Sequence, residues 1–147
     1  MKILAVASAG GHWVQLMRLV PAFDNNEVAF LTTKKNFSDN VEDHEFHSVI
    51  DAASDAKFKL ILMTIQIAIK ILIIRPNVII TTGAAPGLLS LVWGKLLLGS
   101  RTIWVDSIAN VEKISLSGKL AKRFADQVYT QWSHLEESEI LYRGSIL

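Results

Sequence analysis

A chain of 147 residues has room for one domain with a real core and not for two. Half of it is hydrophobic, 20% is charged and the mean hydropathy is +0.32, which excludes a disordered tail and leaves a membrane surface or a large partner interface open. A net charge of +1 gives no footing for nucleic acid, and the lack of cysteine excludes disulfides and thiolate sites and suits a reducing cytoplasm.

Strand and helix signals alternate along the chain. Met1 to His12 has the outline of a signal peptide, but its apolar run is short and Gly10-Gly11-His12 reads as a turn. Lys2 to Ala7 is therefore a buried first strand, and His12 to Val20 a helix that stops near Pro21. Glu27 to Thr32 is a strand, Lys34 to Glu45 a polar loop, Phe46 to Ile50 a short strand and Asp51 to Asp55 a loop of small residues. Phe58 to Ile74 is a long helix closed by Arg75-Pro76. Its apolar run falls short of the ~20 residues that span a bilayer. Lys59, Met63, Gln66 and Lys70 recur at helical spacing as one narrow polar stripe, and the rest of the circumference is Leu and Ile. One side packs on the core. The other faces lipid, with Lys57, Lys59 and Lys70 at the headgroups, or a partner subunit.

Val78 to Thr82 is a β-branched strand, Gly83 to Gly87 a loop, and Leu88 to Leu98 a helix ended by Gly99. Arg101 to Val105 is a strand, Ser107 to Ser117 irregular, Gly118 to Ala125 a basic amphipathic helix and Gln127 to Thr130 a last strand. Continuous apolar strands separated by helices make an α/β domain: a Rossmann-like parallel sheet with helices on both faces, over residues 1–147. Ligands of such a sheet bind outside the carboxyl ends of its strands.

Three loops there carry chemistry. In Ser8-Ala9-Gly10-Gly11-His12, two glycines let a ligand approach the backbone, and the helix that follows offers unpaired N–H groups to a phosphate or diphosphate. The alternative is a turn needed only for tight strand–helix packing. Thr81-Thr82-Gly83-Ala84-Ala85-Pro86-Gly87 can make a second anion or sugar contact, or is simply a compact turn. Asp106-Ser107 sets a carboxylate at a strand's carboxyl edge, as a general base, a sugar-hydroxyl acceptor or a turn cap.

Other patterns carry less. There is no G-x-G-x-x-G, no P-loop and no Asp-x-Asp pair, so neither a metal nor a cofactor is expected. His44-x-x-His47 lacks a third ligand and reads as surface, and the Asn36-Phe37-Ser38 sequon as idle. Lys113, Lys119, Lys122 and Arg123 form a basic patch, by default a solvated face and also suited to anionic headgroups.

Taken in order, Ser8-Ala9-Gly10-Gly11-His12 with Gln15-Leu16, Arg75-Pro76-Asn77-Val78, Thr82-Gly83, Asp106-Ser107-Ile108-Ala109, Ser115-Leu116-Ser117-Gly118-Lys119-Leu120, Ala125-Asp126, Gln131-Trp132 and Gly144-Ser145 resemble bacterial polysaccharide-synthesis accessory proteins. These are related to the membrane subunit of the eukaryotic transferase that adds the second N-acetylglucosamine to dolichol-linked oligosaccharide. The resemblance spans essentially the whole chain. A more distant one is to the N-terminal half of MurG-type lipid II glycosyltransferases, in which Asp106 falls where a Glu stands and its neighbours differ.

The resemblance implies a split GT-B glycosyltransferase: an N-terminal half that binds a polyprenyl-diphosphate-linked sugar, and a separate small donor-binding partner that holds the UDP-sugar. The eukaryotic relative carries an N-terminal transmembrane helix that this chain lacks, so the attachment implied is peripheral, at the cytoplasmic face of the membrane. The role expected is the acceptor-binding subunit of an inverting hexosyltransferase active only with its partner. Gly10, Gly11, Ser8, Thr82 and Gly83 would hold the acceptor diphosphate, and His12 or Asp106 would take the hydroxyl proton or orient the sugar. Two alternatives stand beside it: a non-catalytic subunit that recruits the partner to the membrane, and a stand-alone nucleotide-binding domain.

Overall fold

The computed structural model of the chain describes residues 1–52 and 56–146; positions 53–55 of the expected small-residue loop, and position 147, lie outside the described residues. Seven strands form one sheet, ordered β3-β2-β1-β4-β5-β6-β7: β1 (Lys2–Ala7), β2 (Glu27–Thr32), β3 (Glu45–Ser48), β4 (Val78–Gly83), β5 (Arg101–Val105), β6 (Gln127–Thr130) and β7 (Leu141–Tyr142). Every pairing is parallel. Among the described residues four α-helices complete the fold: α1 (Gly11–Leu19), α2 (Lys57–Ile74), α3 (Ala85–Leu98) and α4 (Leu116–Ala121).

Period-two alternation along buried strands divides the core in two. On one face Ile3, Ala5 and Ala7 of β1 and Val28 and Phe30 of β2 meet Trp13 and Leu16 of α1. Trp13 lies edge-on to Phe30 and stacked on Phe37. On the other face Leu4, Val6, Ala29 and Leu31 meet Met63, Ile67, Ile71 and Ile74 of α2, Leu91 of α3 and Ala121 of α4. Chain order thus runs away from β1 through α1 in one direction and away from β4 through α3 in the other. The crevice between the ends of β1 and β4 is the topological switch point, the place where such sheets take ligands.

Several boundaries differ from the sequence expectation. α3 begins at Ala85, not Leu88, because Pro86 occupies the first turn, where a missing N–H costs nothing; the expected Gly83–Gly87 loop shrinks accordingly. β3 is Glu45–Ser48 rather than Phe46 to Ile50, since Ile50 leaves the ladder and donates its N–H to Gln66 Oε1 at 2.8 Å. α4 spans Leu116–Ala121, earlier than the expected helix, because Ser115 caps it. The polar stripe on α2 is also corrected: Met63 is 1% exposed and belongs to the core. His44 and His47 lie at β3; His47 bonds Glu45, and His44 sits against Phe30.

The far side of α2 is apolar and open. Phe58, Ile61, Leu62, Ile65, Ile69, Leu72 and Ile73 are exposed, beside Leu96 and Leu97 of α3. Lys57 and Lys59 are exposed and Lys70 is half-buried on the same helix. Among the described residues no helix is long and apolar enough to cross a membrane.

Candidate functional site

β1 and β4 run in register until a shift after Val6, which pairs Ala7 with Gly83. Ser8 N then donates to Gly83 O at 2.9 Å, so the two glycine-containing turns lie side by side. Gly10 caps α1 at a φ of 88°, with no side-chain cap and no acidic residue in the first turn. The first capping bond is Val14 N to Gly10 O at 3.2 Å. The N–H groups of Gly11, His12 and Trp13 have no protein acceptor among the described residues. A Cβ on Gly11 would meet nothing within 4 Å, so that position opens outward.

His12 is fixed from behind. Its Nδ1 lies 2.7 Å from the Thr82 carbonyl oxygen, and Thr82 Oγ1 donates back to the His12 carbonyl at 2.6 Å. A carbonyl oxygen only accepts, so Nδ1 carries the proton and Nε2 of the neutral ring is the lone-pair nitrogen. Gly83 completes the seat: a Cβ there would stand 2.8 Å from the ring. Thr82 is fully buried, so its hydroxyl supports the first turn of α1 rather than reaching a ligand.

His12 and Gly83 line a pocket of about 220 Å³ with Ala84, Trp104, Asp106, Ser107, Ala109, Asn110, Ser115 and Ser117. Asp106 is 1% exposed. Its carboxylate accepts from Trp104 Nε1 at 2.9 Å and Ser115 Oγ at 2.6 Å on one oxygen. The other oxygen accepts from Asn110 Nδ2 at 3.0 Å and Ser115 N at 3.1 Å. A carboxylate offers about four lone-pair sites, and these four donors take them. This is the geometry of a turn cap. Ser115 Oγ in turn accepts from Gly118 N at 2.9 Å and starts α4. Only glycine fits at 118, because a Cβ would approach Asp106 Oδ1 to 2.8 Å.

A buried amide pair ties this loop to the rest. Gln15 donates to Ser107 Oγ at 3.1 Å, while its Oε1 accepts from Ile108 N at 3.1 Å and from Gln131 Nε2 at 2.6 Å. Gln131 also donates to the Asp106 carbonyl at 3.0 Å and accepts from Ile146 N at 3.1 Å. Trp132 Nε1 donates to Ile108 O at 2.7 Å. The site residues expected from sequence omit Gln15, Asn110 and Gln131. Gln15 left a signal: a polar residue on the apolar face that Trp13 and Leu16 define.

The basic patch is partly neutralised. Lys122 pairs with Glu137 at 3.1 Å and Glu139 at 3.3 Å, which holds its ammonium above the usual lysine range, and Glu112 and Glu136 share the surrounding hollow with Lys113, Lys119 and Arg123.

A family model described as oligosaccharide biosynthesis protein Alg14 like matches residues 44–146. The chain belongs to this Alg14-like family. Thr82, Gly83 and Asp106 fall inside the matched span, and Ser8, Gly10, Gly11 and His12 before it. The chain is 23% identical, over 166 aligned residues, to the UDP-N-acetylglucosamine transferase subunit ALG14 of Eremothecium gossypii, covering 92% of this chain and 74% of that protein.

Among solved structures, Acinetobacter baumannii MurG superposes with a TM-score of 0.78 at 13% identity, over 96% of this chain and 45% of that one. The UDP-GlcNAc 2-epimerase of Methanocaldococcus jannaschii gives 0.70 at 13% identity, over 97% and 45%. The Neisseria meningitidis UDP-GlcNAc 2-epimerase bound to UDP-GlcNAc gives 0.72 at 5% identity, over 99% and 47%. These likenesses show the fold, that of one half of a GT-B enzyme. The Alg14-like chain spans about half the length of the solved structures it matches.

Proposed function

We propose that this chain is the acceptor-binding subunit of a two-chain inverting glycosyltransferase of oligosaccharide or polysaccharide synthesis, peripheral at the cytoplasmic face of a membrane. The donor is a UDP-sugar, UDP-N-acetylglucosamine in keeping with the Eremothecium relative, and a separate small subunit binds it. The acceptor is a polyprenyl-diphosphate-linked sugar. The word "subunit" in that relative's name supports the second chain.

One observation carries the reading: the unpaired N–H groups of α1 and the Nε2 of His12 stand together at the switch point of the sheet. The N–H groups of Gly11, His12 and Trp13, with Ser8 and the positive end of α1, hold the acceptor diphosphate. Gly10 and Gly11 leave the approach clear. Thr82 and Gly83, expected beside the diphosphate, act instead by seating His12. Nε2 takes the proton of the acceptor hydroxyl as that oxygen bonds to the anomeric carbon. The bond from that carbon to UDP breaks on the opposite face, and the partner stabilises the departing diphosphate. Asp106 is a positioning residue that fixes the loop facing His12. The open apolar face of α2, with Lys57, Lys59 and Lys70, supports attachment to lipid.

The test is steady-state transfer by the reconstituted pair, with partner binding followed by co-purification. His12→Ala lowers turnover by about 10²–10⁴-fold with the pair intact. Gly11→Val keeps the fold, since a Cβ there meets no atom within 4 Å beyond its chain neighbours and the backbone of its own helix, and abolishes acceptor binding. Both variants at wild-type turnover would leave this subunit a docking role only.

A further inference from the structure

The pocket beside His12 contains a side-chain amide whose orientation is fixed. Asn110 Nδ2 donates to Asp106 Oδ2 at 3.0 Å. A carboxylate oxygen can only accept, so the NH2 group must face it and the amide cannot be turned over. The Oδ1 atom and the second N–H of Asn110 have no protein partner among the described residues, and neither has the Ser117 hydroxyl on the same pocket wall. The Asp106 charge is itself capped by four donors.

The chemistry of the lining selects a class of ligand. Among the described residues no Lys or Arg lines the pocket. A phosphate there would meet the Asp106 carboxylate with no cation to offset it. What remains is the Asn110 amide, the Ser117 hydroxyl, the hydrogen of the Ser107 hydroxyl, whose oxygen accepts from Gln15 Nε2 and Ala109 N, and the Nε2 of His12, set among the small apolar surfaces of Ala84 and Ala109 in about 220 Å³. Neutral donors and acceptors around a small apolar floor suit a neutral polyhydroxylated ring. The anion then belongs to the neighbouring first turn of α1.

We propose that Asn110 and Ser117 are specificity-determining residues that read the ring substituents of the acceptor sugar while Nε2 of His12 receives its hydroxyl proton. The proposal rests on the acceptor-binding reading above. Asn110 offers a carbonyl and an N–H together, a pair that matches an acylamino group or two vicinal hydroxyls. Ser117 adds a single rotatable hydroxyl.

The experiment compares wild type, Asn110→Ala and Ser117→Ala in the reconstituted complex. Two acceptors are used, a polyprenyl-diphosphate N-acetylhexosamine and the matching hexose. Losing two neutral hydrogen bonds raises the acceptor KM of Asn110→Ala by roughly ten-fold or more, and losing one raises that of Ser117→Ala by about three- to ten-fold. Donor KM and partner binding stay at wild-type values, which a merely structural role for Asn110 would not produce. The wild-type preference between the two acceptors shrinks in Asn110→Ala. Should Asn110→Ala not fold, Ser117→Ala and Asn110→Ser carry the same measurement, since the Ser117 side chain supports no other residue. An active wild type with unchanged acceptor KM and unchanged preference in the variants overturns the proposal alone. A wild-type pair that transfers nothing overturns the acceptor-binding reading and this proposal with it.

Discussion

Replacing Asp106 by Asn puts an NH2 group where one carboxylate oxygen now accepts two donors. Whichever way the amide turns, a donor faces a donor. Asp106→Asn should therefore lower stability by about 1–3 kcal/mol, read from denaturant unfolding of the isolated chain. An unchanged midpoint with turnover lost would move the carboxylate from architecture into the chemistry. In the sequence Asp106 reads equally as base and cap, because the donors that decide between them, Asn110 and Ser115, lie in a segment with no periodicity. Asp126 is a second carboxylate held by donors. It accepts from Lys95 Nζ and from Thr102 N at 2.8 Å, joining the starts of β5 and β6 to α3. The Lys95 bond first, and the Thr102 N–H next, hold its carboxyl below the usual value. A depressed folded value means stability that is present above the unfolded value and lost as pH falls through the folded one. The difference in Tm between wild type and Asp126→Asn should thus narrow on going from about pH 7 to about pH 3. A constant difference would show that the charge contributes nothing.

At the scale of elements, α2 presents two apolar faces with different work. Met63, Ile67, Ile71 and Ile74 face the sheet, and Ile61, Ile65, Ile69 and Ile73 face outward. Ile67→Ala leaves a void in a close-packed layer and costs about 2–5 kcal/mol. Ile65→Ser with Ile69→Ser, both at exposed positions, shifts stability by about 0.5 kcal/mol or less per site. The outward pair should instead abolish flotation with anionic vesicles, an association that weakens with salt because Lys57, Lys59 and Lys70 flank the face. Wild-type flotation by the double variant would assign the outward face to another subunit. Composition already hinted at such a surface. Which residues lie on which face did not follow from the sequence, because Leu and Ile run almost all the way round the helix and only packing against α3 and the sheet distinguishes them.

For the whole molecule, the parallel sheet was legible because its strands are continuous apolar runs and its turns carry Gly and Pro. The glycine turn before His12 was legible for the same reason. The support behind the site was not: Gln15 meets Ser107 across 92 positions and Gln131 across 116, distances that no local pattern spans. Nor was β7 assigned, since a strand of two residues has no period to read. The described residues form one Rossmann-like unit, with open N–H groups at the switch point and an exposed apolar face on α2. The proposed function rests on shared labour between two chains. The most direct measurement is the rate of sugar transfer from a UDP-sugar to a polyprenyl-diphosphate sugar by the purified chain, by the purified donor-binding subunit, and by the two mixed. The account predicts transfer only in the mixture. Turnover by this chain free of any partner, or none in a mixture whose chains co-purify, would contradict it.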